Sequence, residues 1–176
     1  MATGTKGGLL KSPEQHAQSV FKHVVLSSYL EPFMAMTGST SPGKRLVVLD
    51  GFAGSGRYSD GSPASGERIM QAIAKMQPTR RVEAFFVEKA KKEFARLEAV
   101  VGEYRDRGLT VTALPGRVER HLNQVVTAAE GVPLFLFLDP CGAGVSFEQL
   151  TGLLNGPRAG ERPATEVLLN FSGTMS

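Results

Sequence analysis

Three apolar runs in this chain each end in a carboxylate, and that pattern constrains the fold more than anything else in the sequence. They are Arg45–Asp50 (RLVVLD), Val82–Glu88 (VEAFFVE) and Leu134–Asp139 (LFLFLD). Short runs rich in β-branched and aromatic residues, bounded by turn formers, read as strands. LFLFLD has no polar alternation, which marks a strand covered on both faces. Between these runs the apolar period changes to that of a helix. Ile69, Met70, Ile73 and Met76 form one stripe, Phe94, Leu97, Val101 and Tyr104 a second, and Val118, Leu122, Val125, Val126 and Ala129 a third. Thr110–Leu114 and Glu166–Phe171 (EVLLNF) supply two more strands. Ser146 opens a helix carrying Phe147, Leu150 and Leu154, with Gln149 placed to complete a capping box. Strand and helix in alternation, with short links, predict an α/β fold on a parallel sheet with right-handed crossovers. Ligands of such sheets bind beyond the carboxyl ends of the strands, where strand order switches. Asp50, Glu88 and Asp139 are therefore expected to converge on one crevice.

The rest of the chain frames this unit. Residues 1–11 are rich in Gly, Thr and Lys and are expected to be disordered. Ser12-Pro13-Glu14-Gln15 is a helix start, continued by the stripe Ala17, Val20, Phe21 and Val24. Pro32 is expected to kink or restart that helix, and Gly38–Lys44 to form a linker. At 176 residues, the span 12–176 reads as one domain. A hydrophobic share of 41% and a charged share of 21% place it among globular chains. The net charge of +3 leans slightly towards an anionic partner. The basic cluster between Arg80 and Arg96 also reads as a solvated helix face. A single cysteine, Cys141, excludes an internal disulfide and a cysteine-based zinc site, and a reducing cytoplasm is the default compartment. His16, His23 and His121 are too scattered to suggest a metal centre. The longest apolar stretch, Val132–Leu138, is interrupted by Pro133 and is too short to span a membrane.

The loop after the first strand narrows the ligand. It reads Asp50-Gly51-Phe52-Ala53-Gly54-Ser55-Gly56-Arg57-Tyr58. A dinucleotide loop needs Gly-x-Gly-x-x-Gly, and here the third glycine is missing. A phosphate loop needs Gly-Lys-Ser/Thr, which does not occur. An acid followed by a glycine-rich turn suits a ligand with a cationic amino-acid end and no phosphate, such as S-adenosylmethionine. Glu88 can then hold ribose hydroxyls, although it would serve NAD equally. The alternative is a glycine-rich turn with no ligand. The fourth strand ends in Asp139-Pro140-Cys141-Gly142. A strand-end Asp-Pro followed by an aromatic residue is the arrangement of amino-group methyltransferases. The Asp and the following carbonyl accept the amino hydrogens, and the aromatic stacks on the base. Cys141 removes that stacking surface. Pro-Cys also resembles the cytosine-C5 methyltransferases, whose thiolate attacks carbon, but nothing near Cys141 in sequence would depress its pKa. A small buried residue is the other reading.

Taken together, Lys22-His23, the Val48–Tyr58 stretch, Phe86-Val87-Glu88-Lys89, Phe137–Gly142 and Glu166–Phe171 resemble the three-Cys-motif partner proteins, over about residues 14–172. The resemblance implies a Rossmann-like class I methyltransferase fold with strand order 3-2-1-4-5, binding S-adenosylmethionine. It also implies association with a partner that carries three clustered cysteines and is similar to radical-SAM proteins. Asp50, Gly51, Phe52, Ala53, Gly54, Gly56, Glu88 and Gly116 are then the cofactor-binding residues, and Asp139 with the Pro140 carbonyl orients the nucleophile. Arg57, Tyr58, Cys141 and Asn170 are candidate substrate contacts. Members usually carry an aromatic where Cys141 stands, and a full class I sheet has seven strands, so truncation after the fifth is expected. Two functions follow. One is a methyltransferase acting on an amino nitrogen of a nucleic-acid base. The other is a non-catalytic subunit that docks the cysteine-rich partner. An NAD-type oxidoreductase is disfavoured by the glycine spacing.

Overall fold

The structure is a computed structural model and describes residues 13–140, 145–156, 158 and 165–170. The segments expected to be disordered (1–11) or to carry Cys141, Gly142 and Phe171 lie outside the described residues. A five-stranded, all-parallel sheet runs in the order β3-β2-β1-β4-β5. Its strands are β1 (Arg45–Asp50), β2 (Arg81–Glu88), β3 (Thr110–Pro115), β4 (Leu134–Leu138) and β5 (Thr165–Leu169). The helices are α1 (Pro13–Thr40), α2 (Ser65–Met76), α3 (Lys91–Asp106), α4 (Leu122–Ala128) and α5 (Phe147–Asn155). This is a Rossmann-like α/β architecture, as the alternation predicts.

Side-chain alternation along the strands builds two cores. Val48, Phe86, Val111 and Phe135 face Leu26, Leu30, Ile69, Met70, Leu97 and Val101 from α1, α2 and α3. Val47, Leu49, Phe85, Leu134 and Leu136 face Val125 of α4, with Leu150 and Leu153 of α5 packed at the margin. β4 is buried along its whole length, because it lies between β1 and β5 and both its faces are covered. Full burial of side chains such as Phe86 and Phe135 is worth about 1.5–3 kcal/mol each.

Two expectations need correction. α1 neither breaks nor restarts at Pro32 and runs on through Gly38 to Thr40. Pro32 lacks the N–H that would meet the Ser28 carbonyl, but both residues are exposed, so water can take that carbonyl. Leu26, Leu30, Phe33 and Met34 meanwhile keep the opposite face in the core. The stripe from Val118 to Ala129 is two elements, a 3-10 turn at Val118–Arg120 and then α4. His121 separates them, with its ring Nε2 2.8 Å from the Pro115 carbonyl oxygen. The capping box at Ser146 and Gln149 forms as predicted.

Candidate functional site

Register explains how the three carboxylates meet. Asp50 pairs with Phe86 on one side and Phe137 on the other. Glu88 and Asp139 therefore stand two residues further along the neighbouring strands, on the same face and about 7 Å beyond Asp50 at the rise of a parallel strand. Asp50 is fully buried. Its Oδ1 accepts from Phe52 N at 3.1 Å and its Oδ2 from Ser65 Oγ at 2.7 Å, so it ties the loop to the start of α2. Burial pushes its pKa up to about 7; those two hydrogen bonds act against the rise, and the charges of Asp139 and Glu88 add to it.

A cleft of about 290 Å³ opens above this buried acid. The loop after β1 contributes Gly51, Phe52 and Gly54, the end of β2 contributes Glu88 and Lys89, the turn after β3 contributes Gly116, Arg117 and Glu119, and β4 contributes Asp139. Gly51 forms a floor with little room for a side chain, since a Cβ there would lie 2.6 Å from Leu138 Cδ2 and 3.0 Å from Val118 Cγ2 and these would have to shift. Gly116 turns at φ +105, where a side chain is strained, and its N–H donates to the Glu88 carbonyl at 2.9 Å. Glu88 Oε1 accepts from Ala90 N at 2.6 Å, which fixes the carboxylate at the head of α3. Asp139 Oδ1 accepts from Asn170 Nδ2 at 2.6 Å. Pro140 is buried beside it. A larger cavity of about 380 Å³ lies at the opposite, amino end of the strands, among Arg45, Arg80 and Arg81. The carboxyl-end cleft is the better candidate because loops widen there and the acids converge there.

The structure thus brings Gly51, Phe52, Gly54, Glu88, Gly116 and Asp139 to one cleft. Pro140 and Asn170 adjoin it at Asp139, and Asp50, Ala53, Gly56, Arg57 and Tyr58 lie away from it. Asp50 lies beneath the cleft rather than in its wall. Ala53 is buried, with its N–H donated to the Val87 carbonyl at 2.9 Å. Gly56 packs at φ +73 with its Cα against α3, where a Cβ would stand 3.1 Å from Leu97 Cδ1. Arg57 was expected at the substrate entrance. Instead its guanidinium grips Glu67 of α2, at 2.6 Å and 2.7 Å, and Glu103 of α3, at 2.9 Å and 3.3 Å. Those two carboxylates hold the Arg57 pKa above its ordinary range, and Arg57 in turn lowers that of Glu103. Glu67 is buried and also accepts from Tyr104 Oη at 3.2 Å. Tyr58 closes the loop through backbone bonds with Ser62 and Gly61. Cys141 lies outside the described residues.

No family model matches this chain, and no curated protein is similar enough to count as a relative. The site must therefore be read from its own chemistry. Lys89 and Arg117 line the cleft without appearing among the candidates from sequence, although each directly follows one (Glu88 and Gly116). Among the described residues, no group of three His, Cys, Asp or Glu side chains is placed to hold a metal ion, and no helix is long and apolar enough to cross a membrane.

Proposed function

We propose that this protein is an S-adenosylmethionine-dependent methyltransferase whose acceptor is an amino nitrogen of a nucleic-acid base. The observation that carries the reading is the placing of Glu88 and Asp139 on opposite walls of one cleft, over a floor of side-chain-free backbone at Gly51. The donor set suits the cofactor. A carboxylate fixed at the head of α3 can accept from two vicinal ribose hydroxyls. Glu88, Glu119 and Asp139 line the cleft against Lys89 and Arg117, an acidic balance that favours a cationic ligand end over a phosphate and fits a sulfonium amino acid better than a dinucleotide. When bound, the cofactor supplies an already activated methyl group.

The chain's own residues then have modest tasks. Glu88 holds the ribose, and the Gly116 turn lies where an adenine edge would rest. The Gly51–Gly54 backbone lets a ligand approach closely. Asp139, with the Pro140 carbonyl, accepts hydrogen bonds from the acceptor's amino group and aims its lone pair. Catalysis is chiefly positioning for in-line transfer.

Calorimetry with S-adenosylmethionine, S-adenosylhomocysteine and NAD tests the first half of this reading. Transfer of a tritiated methyl group to adenine- and cytosine-containing oligonucleotides tests the second. Binding of NAD alone would replace the reading with an oxidoreductase. A second reading, a non-catalytic subunit docking a cysteine-rich partner, is favoured by Phe147, which is 81% exposed at the start of α5. Cofactor binding without transfer to any oligonucleotide would support it.

A further inference from the structure

Asp139 is held from the neighbouring strand. The β4–β5 register, which pairs Leu138 with Leu169, makes Asn170 the next partner of Asp139. Asn170 is anchored twice. Its backbone N–H donates to the Leu138 carbonyl at 3.0 Å, and its side-chain amide donates to Asp139 Oδ1 at 2.6 Å. An amide is a particular choice for this position. It donates at every pH, it is short enough to restrict the Asp139 rotamer, and it leaves the negative charge of Asp139 uncancelled, as an arginine would not.

We propose that Asn170 is a positioning residue of the transfer site, holding Asp139 as an oriented acceptor for the amino group of the substrate. This rests on the methyltransferase reading. The charged groups that face Asp139 are Asp50 from β1, Glu88 and Lys89 from the end of β2, and Arg117 and Glu119 from the turn after β3. Glu166 of β5 is engaged by Tyr29 of α1. The amide of Asn170 is thus a neutral contact on an acid that stands among three other carboxylates and two cations.

The isosteric variant Asn170→Asp separates positioning from packing. Two carboxylates in this contact share one proton. While that proton is held, the introduced carboxyl group donates to Asp139 as the amide does. Once it is lost, repulsion turns Asp139 away. Methyl transfer to the oligonucleotide acceptor should therefore be highest at low pH and fall about tenfold or more as pH rises, the loss expected for a charge-assisted hydrogen bond. Asn170→Ala should lose about as much at every pH, with the S-adenosylmethionine Kd unchanged. A purely structural role predicts lowered Tm and equal, pH-independent losses in both variants, and that result overturns the proposal. So does wild-type kcat in Asn170→Ala. The side-chain amide resonance of Asn170, followed by NMR, provides an arm that needs no activity. Its NH2 protons should exchange slowly with solvent in wild type and lose that protection in Asp139→Ala, and an unchanged resonance overturns the proposal. A wild type that binds no S-adenosylmethionine or transfers no methyl group refutes the methyltransferase reading instead, and the amide resonance still decides whether Asn170 holds Asp139.

Discussion

The substitution Asp50→Asn should change how stability depends on pH, and in a direction the structure dictates. The folded-state pKa of Asp50 is raised from 3.8 to about 7, chiefly by burial. A group with a raised folded pKa stabilises the fold fully below its unfolded pKa. That contribution declines as pH rises towards the folded pKa and is gone above it. Three pH units at 1.36 kcal/mol each make the whole effect about 4 kcal/mol. The amide of the variant has no such titration. It can keep the bond from Phe52 N, and the Ser65 hydroxyl can rotate to accept from its NH2 group. The stability difference, variant minus wild type, should therefore grow between pH 5 and pH 7 by roughly 1.4 kcal/mol per unit and then level off. For a chain of this length, the relative gain between pH 5 and pH 8 corresponds to roughly 5–10 °C in Tm. Urea unfolding of both proteins by circular dichroism at pH 5, 6, 7 and 8 measures the difference directly, and other titrating groups largely cancel. A flat difference, or a variant that loses ground as pH rises, would refute the burial argument.

Three further outcomes follow from particular contacts. Glu88→Ala should weaken S-adenosylmethionine binding by about 1.5–3 kcal/mol, tenfold or more in Kd by calorimetry, because a charge-assisted contact is lost. Asp139→Ala should abolish methyl transfer while leaving cofactor affinity within about twofold, since Asp139 is assigned to the acceptor side of the cleft. Gly51→Ala drives a methyl group against Leu138 and Val118 and should cost about 1–3 kcal/mol by denaturant unfolding; wild-type stability would show that those side chains yield freely.

The sheet was readable because strands buried on both faces announce themselves in composition, and a parallel topology follows from the helices between them. The meeting of Asp50, Glu88 and Asp139 was equally readable, since each ends its run. Other features were written in partners too distant to see. Arg57 lies ten residues from Glu67 and forty-six from Glu103, and no local pattern joins them. The one available signal was an acid, Glu67, followed by the apolar face of α2. Asn170 could be placed in the crevice from its strand, but its bond to Asp139 depends on the β4–β5 register. Arg158 carried no signal at all. It is buried, and its guanidinium reaches the Ala129 and Val132 carbonyls and Thr165 Oγ1, at 2.6, 2.7 and 2.6 Å. Pro32 does not restart α1, because proline's penalty depends on whether the freed carbonyl meets water.

The central place of β1 also bears on the order in which the molecule assembles. Val47 is partnered by Glu83 on one side and by Leu134 on the other, and the second partner lies more than twice as far along the chain. Each doubling of a closed loop adds about 0.6 kcal/mol of entropy cost, so the β1–β2–β3 half has the advantage as a nucleus and β4–β5 joins it afterwards. The cleft is divided along the same line. Gly51, Glu88 and Gly116 belong to the early half, and Asp139 and Asn170 to the late one. The wall assigned to the cofactor is therefore expected to gain protection first in pulse-labelled hydrogen exchange during refolding, and the acceptor wall after it.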